Sequence, residues 1–106
     1  MHTNAVKLPS PTELQLLAIL HECGELSGRE VAKTFKRETG RSISYGTLYT
    51  AFRRLRERQW VHVRDSEDED GRIRYFKVDS RGAAALTAAR SYYSKLSGFG
   101  LSMLAT

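Results

Sequence analysis

The 106-residue sequence predicts a mainly α-helical fold that carries one β-hairpin and ends in a long separate helix. Three observations support it. Ser44 to Trp60, SYGTLYTAFRRLRERQW, has helical periodicity with one apolar and one basic face. Trp60–Arg64 and Arg72–Val78 alternate with period two around the polar stretch 65–71, DSEDEDG, as the strands and turn of a hairpin do. Ala85, Ala89, Tyr92, Leu96, Phe99 and Met103 then recur at spacings of four and three, the seam of a helix that packs along another helix.

Bulk properties narrow the function classes. A chain of this length holds one modest core, and such chains often gain stability by dimerising. Its net charge of +5 is unevenly spread. Residues 27–64 hold ten Lys and Arg against three acids, whereas residues 65–71 hold five acids and no base. Positive charge concentrated around one helix suits a polyanion partner better than a diffuse basic surface would. The lone Cys23 cannot form an internal disulfide, the start of the chain does not read as a signal peptide, and no apolar run approaches membrane-spanning length. A cytoplasmic protein without membrane association is expected. His21 and Cys23 have no second pair of ligands, so a helix-end imidazole and a buried small thiol are expected there, not a metal site. No nucleophile–base pair or Gly-rich phosphate loop appears, so neither enzyme chemistry nor a cofactor is expected.

Taken in order, residues 1–11 read as a flexible arm interrupted by Pro9 and Pro11. Ser10 or Thr12 can cap a first helix reaching about Glu22, with Leu14, Leu17, Ala18 and His21 on one stripe. Leu16, Ile19 and Leu20 widen its apolar girth, and Leu16 and Leu20 are expected at a subunit interface. Ser27 and Glu30 form a capping box for a second helix bearing Val31, Ala32 and Phe35, which Gly40 ends in a left-handed cap. Arg41-Ser42-Ile43 is a short turn and Ser44, assisted by Thr47, caps the third helix. Its stripe of Tyr45, Leu48, Phe52, Leu55 and Gln59 can be buried, and Gly46, Thr50, Arg53, Arg54 and Glu57 lie opposite. Two helices joined by a tight turn, followed by a hairpin, make a winged helix-turn-helix over residues 12–79. Phe76, Val78 and one of Val61 or Val63 are expected to pack on the helices, with Trp60 anchoring the core. Asp79 or Ser80 caps the last helix, residues 80–106, read as a dimerisation helix. Its apolar surface exceeds what a three-helix core can cover. Gly98 and Gly100 are expected to kink or stop it.

Ile43 to Val61, ISYGTLYTAFRRLRERQWV, followed by Asp70 to Leu86, DGRIRYFKVDSRGAAAL, resembles the PadR family of bacterial transcriptional regulators. Typical members carry "hisxGTLYxxLxRLExxGWV" and "GRxRxYYxLTxxGxxxL" in that order, and the match spans about residues 12–90. The length resembles the short subfamily with one C-terminal dimerisation helix. The resemblance implies a homodimer that binds palindromic operator DNA, commonly as a repressor. Some relatives release DNA when small aromatic molecules bind. Tyr45, Gly46, Thr47 and Tyr49 match the start of the family's recognition helix, and Gly71, Arg72 and Arg74 match its basic wing. Two departures stand out: Gln59 replaces a Gly, which implies a less sharply turned helix end, and the wing tip is acidic.

The expected DNA contacts follow from side-chain chemistry. Ser44, Tyr45, Tyr49 and main-chain N–H groups would meet phosphate, and Thr50 and Arg53 base edges. Arg41, Arg54, Arg72, Arg74 and Lys77 would serve phosphates. Ala85, Ala89, Tyr92, Tyr93, Leu96, Phe99 and Met103 are expected at the dimer interface, and Tyr92 and Tyr93 are the aromatics placed to line an effector pocket. The competing reading is a winged-helix module that binds protein, motivated by the acidic wing tip and the apolar outer helices.

Overall fold

The computed structural model describes residues 8–69 and 71–105, with side-chain surroundings given through Phe99. Four helices and three strands follow in order: α1 (Pro11–Cys23), β1 (Leu26–Ser27), α2 (Gly28–Thr39), α3 (Tyr45–Glu57), β2 (Val61–Asp68), β3 (Gly71–Val78) and α4 (Ser80–Ala105). Helices α1 to α3 pack around Leu16, Leu17, Leu20, Val31, Leu48, Phe52 and Leu55, all essentially solvent-free. Phe76 of the wing closes this core, its ring stacked 3.9 Å from that of Phe52. The fold is a winged helix-turn-helix with a C-terminal helix.

Local chemistry explains the element boundaries. Ser10 and Glu13 form a full capping box on α1, and Ser27 and Glu30 form another on α2. Pro9 is fully buried, so the segment read as a flexible arm is packed by its ninth residue; residues 1–7 lie outside the described residues. Gly40 takes the left-handed conformation at the end of α2 (φ 74°), as its position predicts. Thr39 then fixes the turn, its hydroxyl donating to the Phe35 carbonyl and accepting the Arg41 N–H.

The hairpin differs from expectation in a way that matters later. Residues 65–68 are strand, paired to within one two-residue turn: Asp65 faces Arg74, Glu67 faces Arg72 and Asp68 faces Gly71. Opposite charges directly across a ladder stabilise it, so the acidic run extends the strand. Asp70 lies outside the described residues. A third strand, β1, pairs with β3 through Leu26–Phe76 and Ser27–Tyr75, giving the order β1-β3-β2. Two residues have no readable period, and β1 exists because β3 offers it an edge.

Helix α4 starts on Asp79, whose Oδ1 accepts the Arg81 N–H at 2.8 Å. It runs unbroken to Ala105 through Gly98 and Gly100, so the expected stop does not occur. Two glycines weaken a helix by about 1 kcal/mol each, which a helix of 26 residues can absorb. The dimer-interface expectations divide here. Leu16 and Leu20, at 0% and 1% exposure, and Ala85 and Ala89, at 6% and 0%, are filled by the chain's own core and offer no surface to a second subunit. Tyr93 is half-buried, its hydroxyl donating to the Pro9 carbonyl at 3.4 Å. Tyr92, Leu96 and Phe99 are 48%, 51% and 62% exposed at helical spacing. The surroundings of the Met103 side chain lie outside the described residues.

Candidate nucleic-acid interface

Helix α3 is held at one end and open at the other. Its last turn closes with the Trp60 N–H donating to the Leu55 carbonyl and the Gln59 N–H donating to the Arg56 carbonyl, both at 2.9 Å. This is the double bond of a Schellman cap, and it requires Gln59 in the left-handed region at φ 62°. The sharp turn expected of a glycine is therefore kept without one. Arg58 donates through Nη1 to both carboxylate oxygens of Glu13 at 3.1 Å and lies 5.0 Å over the Trp60 ring. Glu13 is 5% exposed, so this pair, 45 residues apart in sequence, ties the end of α3 to the start of α1. The Trp60 carbonyl accepts the Asp79 N–H at 2.8 Å and sits directly against Gly82, where any Cβ would overlap it. His62 Nε2 lies 2.6 Å from Asp79 Oδ2 at the same junction. The Arg81 N–H, followed by His62, holds the Asp79 carboxyl below the usual aspartate range.

The opposite end is chemically different. Helices α1 and α2 each begin with a carboxylate in a capping box, and α4 begins on Asp79. Helix α3 is capped by the Ser44 hydroxyl alone, which accepts the Thr47 N–H and donates to the Thr47 hydroxyl, and no acid stands in its first turn. The partial positive charge of that helix end is left for an external anion. Ser44, Tyr45, Gly46 and Thr47 are all exposed there, as is Arg41 in the preceding turn. Tyr45, expected on the buried stripe, is 53% exposed, because the first helical residue projects beyond the core and its ring stacks on Tyr49 at 6.3 Å. Ala51 takes its place among the buried positions. Gln59, also expected on that stripe, is exposed.

The exposed surface of α3 divides around this end. Gly46, Thr47, Thr50 and Arg54 line a cleft shared with Ser10 and Thr12 of the α1 start. Tyr49, Arg53 and Arg56 line a groove shared with Val63, Arg74 and Phe76 of the wing, floored by Phe52. The Tyr49 ring packs over Gly28, whose missing Cβ would stand 2.6 Å from the phenol oxygen. Sequence reasoning missed Arg56, because its helical position lies between the two faces. Among the described residues, Arg53 and Arg54 have no acidic partner.

The wing arginines are not equivalent to these. Side chains alternate across a strand, so Asp65, Glu67, Arg72 and Arg74 share the face that carries Val63 and Phe76 toward α3. Arg74 Nε donates to Asp65 Oδ1 at 3.0 Å. That bond, with the charges of Arg74, Arg72 and Arg56, holds the Asp65 carboxyl below its usual range. Lys77 pairs across from His62 on the opposite face, so the fold does not bring it to the groove with the other expected contacts. On that outer face Arg64 donates to both Glu25 oxygens at 2.7 and 3.2 Å and covers the Tyr75 ring at 4.7 Å. The Arg64 hydrogen bond pulls the Glu25 carboxyl below the usual carboxylate range and ties the wing to the segment before β1. Among the described residues no three His, Cys, Asp or Glu side chains cluster to hold a metal, and no helix is long and apolar enough to cross a membrane.

A winged helix-turn-helix whose third helix has an open, acid-free first turn and an arginine-lined exposed surface defines the class of transcription regulators built on this fold. The sequence matches the model of the "Transcriptional regulator PadR-like family" over residues 16–88, most of the chain, and the protein belongs to that family. A comparison with curated proteins finds no match. Among solved structures the fold is similar to a PadR family transcription regulator from Clostridium difficile (22% identity, TM-score 0.77), covering 90% of this chain and 99% of that one. It is also similar to a PadR-like transcription factor from Bacteroides fragilis (19% identity, TM-score 0.79), covering 87% and 88%. Bacillus subtilis PadR in complex with operator DNA is similar at 21% identity and TM-score 0.66, over 74% of this chain and 45% of that one.

Proposed function

We propose that this protein is a homodimeric repressor that binds a palindromic DNA operator with α3 in the major groove. The observation that carries the reading is the start of α3: exposed, capped by a hydroxyl, free of acid in its first turn, with Arg41 in the preceding turn and Arg53 and Arg54 further along the exposed surface of the helix. Ser44, Thr47 and the free N–H groups of that turn meet phosphate. Arg53 is the residue best able to read a base edge, since a guanidinium pairs bidentately with guanine. Thr50, half-buried beside α1, has a narrower reach. Arg54 and Arg41 serve phosphates on the α1 side of the helix. The operator DNA bound by the Bacillus subtilis relative supports the same partner here.

The exposed row of Tyr92, Leu96 and Phe99 supports the dimer, because three large apolar side chains at helical spacing favour a second apolar surface. Two copies of α3 related by a two-fold axis place half-sites about 10 base pairs apart, centre to centre. Tyr92 and Tyr93 meet edge-to-face at 5.4 Å and would line the wall of an effector site between subunits, where a small aromatic ligand would release the operator. Fluorescence anisotropy with duplex DNA across a salt series tests the reading. Affinity should fall steeply with salt, by a log–log slope near −0.9 per phosphate contacted. No binding to any duplex at low salt would leave the protein-binding module as the better account.

A further inference from the structure

The acidic wing is the feature that the proposed function does not absorb, and its geometry gives it a role. The groove between α3 and the wing has an apolar floor, Phe52 stacked on Phe76, and three arginines around it: Arg53 and Arg56 from α3 and Arg74 from β3. One carboxylate projects from the same wing face within bonding distance of this set. Asp65 stands directly across the ladder from Arg74, and its Oδ1 accepts the Arg74 Nε–H at 3.0 Å. Both side chains are about half exposed, at 41% and 47%. Solvent therefore screens the pair and makes a change of partner cheap.

We infer that Asp65 is an intramolecular stand-in for a DNA phosphate: it occupies Arg74 in the free protein and is exchanged for the backbone when DNA enters the groove. This rests on the DNA-binding reading above. A carboxylate and a phosphate oxygen present the same acceptor to the guanidinium, so one Arg74 cannot serve both fully. While the pair is closed, the wing brings no net charge to the groove at this position, and Asp65 repels an approaching phosphate. Asp65 is thus a positioning residue that acts through Arg74. It lowers affinity for DNA in general and leaves discrimination to α3, where Arg53 and Arg54 are unpaired among the described residues. Glu67, across from Arg72 one step further out, repeats the arrangement by register.

The test uses the full chain and a labelled random-sequence duplex, with Asp65→Asn, Asp65→Glu, Arg74→Ala and the double variant Asp65→Asn/Arg74→Ala compared by anisotropy from 20 to 300 mM salt. Asp65→Asn is expected to bind about twofold to fivefold more tightly, the scale of one exposed charge pair. It should also steepen the log–log salt slope by about one, as one added phosphate contact does. Asp65→Glu should keep the wild-type slope. Arg74→Ala should change little in the wild-type chain and cancel the gain in the Asp65→Asn chain. An Asp65→Asn protein that binds no more tightly than wild type, with an unchanged slope, overturns the role of Asp65 and leaves the DNA-binding reading standing. If neither protein binds duplex at the lowest salt, both fail together. A thermal melt of each variant separates these outcomes from unfolding, since a pair that only braced the hairpin would lower the melting temperature without tightening DNA binding.

Discussion

The two ends of α3 carry the same kind of residue and use it in opposite ways. At the C-terminal end Arg58 is spent inside the protein, on a nearly buried carboxylate and an indole face. On the side that leads to the open end, Arg53 and Arg54 of the third turn face solvent with no acidic partner among the described residues, on a surface that continues to a helix start without an acid. The contrast is about partners more than about residue type: an arginine becomes structural where the fold supplies an anion and a floor, and available where it supplies neither. It predicts a double dissociation, with changes at the anchored end lowering stability and changes at the open end lowering DNA affinity.

The largest effect is expected at the anchor. Gly82→Ala forces a methyl group into the Trp60 carbonyl, where only backbone movement can make room. The cost should be about 3 kcal/mol or more in denaturant-induced unfolding. Arg58→Ala leaves the Glu13 carboxylate buried without its cation and should cost about 2–4 kcal/mol. DNA affinity of the folded Arg58→Ala protein, measured well below its melting temperature, should stay within about twofold of wild type, the spread expected of a site that is not in contact. At the open end the signs reverse. Arg53→Ala should weaken operator binding by about 1–3 kcal/mol and relax the preference at one position, as loss of a base contact does. Its melting temperature should stay near the wild-type value.

Smaller effects sharpen the same contrast. Gln59 is a non-glycine residue held at φ 62°, so Gln59→Gly should stabilise the protein by about 0.5–1 kcal/mol in chemical unfolding, with DNA affinity unaltered. The smallest effect is a pH dependence. The folded protein holds the Asp79 carboxyl below its ordinary value, so its contribution is complete at neutral pH, persists above the unfolded pKa near 4, and is lost as pH falls through the folded value. Acid melts of Asp79→Asn should accordingly show a shallower loss of stability below pH 4 than wild type.

Much of the fold was legible in the sequence because its signals are local. Ser27 and Glu30, three residues apart, announce α2, and Gly40 announces its end. What escaped the sequence depends on residues far apart. Arg58 finds Glu13 across 45 positions, and Leu26 forms a strand only because Phe76 lies alongside. The stretch 65–68 reads as a polar turn until the register sets its acids against Arg72 and Arg74. The candidate site was legible to a similar degree. Helical periodicity put Gly46, Thr50, Arg53 and Arg54 on one exposed side, but could not tell that Lys77 turns away from the groove or that Arg74 is already engaged. The apolar girth of α1 suggests a subunit interface at Leu16 and Leu20, but α2, α3, α4 and the wing cover it within the chain.

The division of α3 into an anchored and an open end is tested most directly by measuring Arg53→Ala and Arg58→Ala side by side, each by thermal melt and by salt-dependent anisotropy on duplex DNA. The account predicts that Arg53→Ala keeps the melting temperature and loses affinity, and that Arg58→Ala loses melting temperature and keeps affinity and salt slope. An Arg53→Ala protein that binds DNA as tightly as wild type, with the same salt slope, would contradict it.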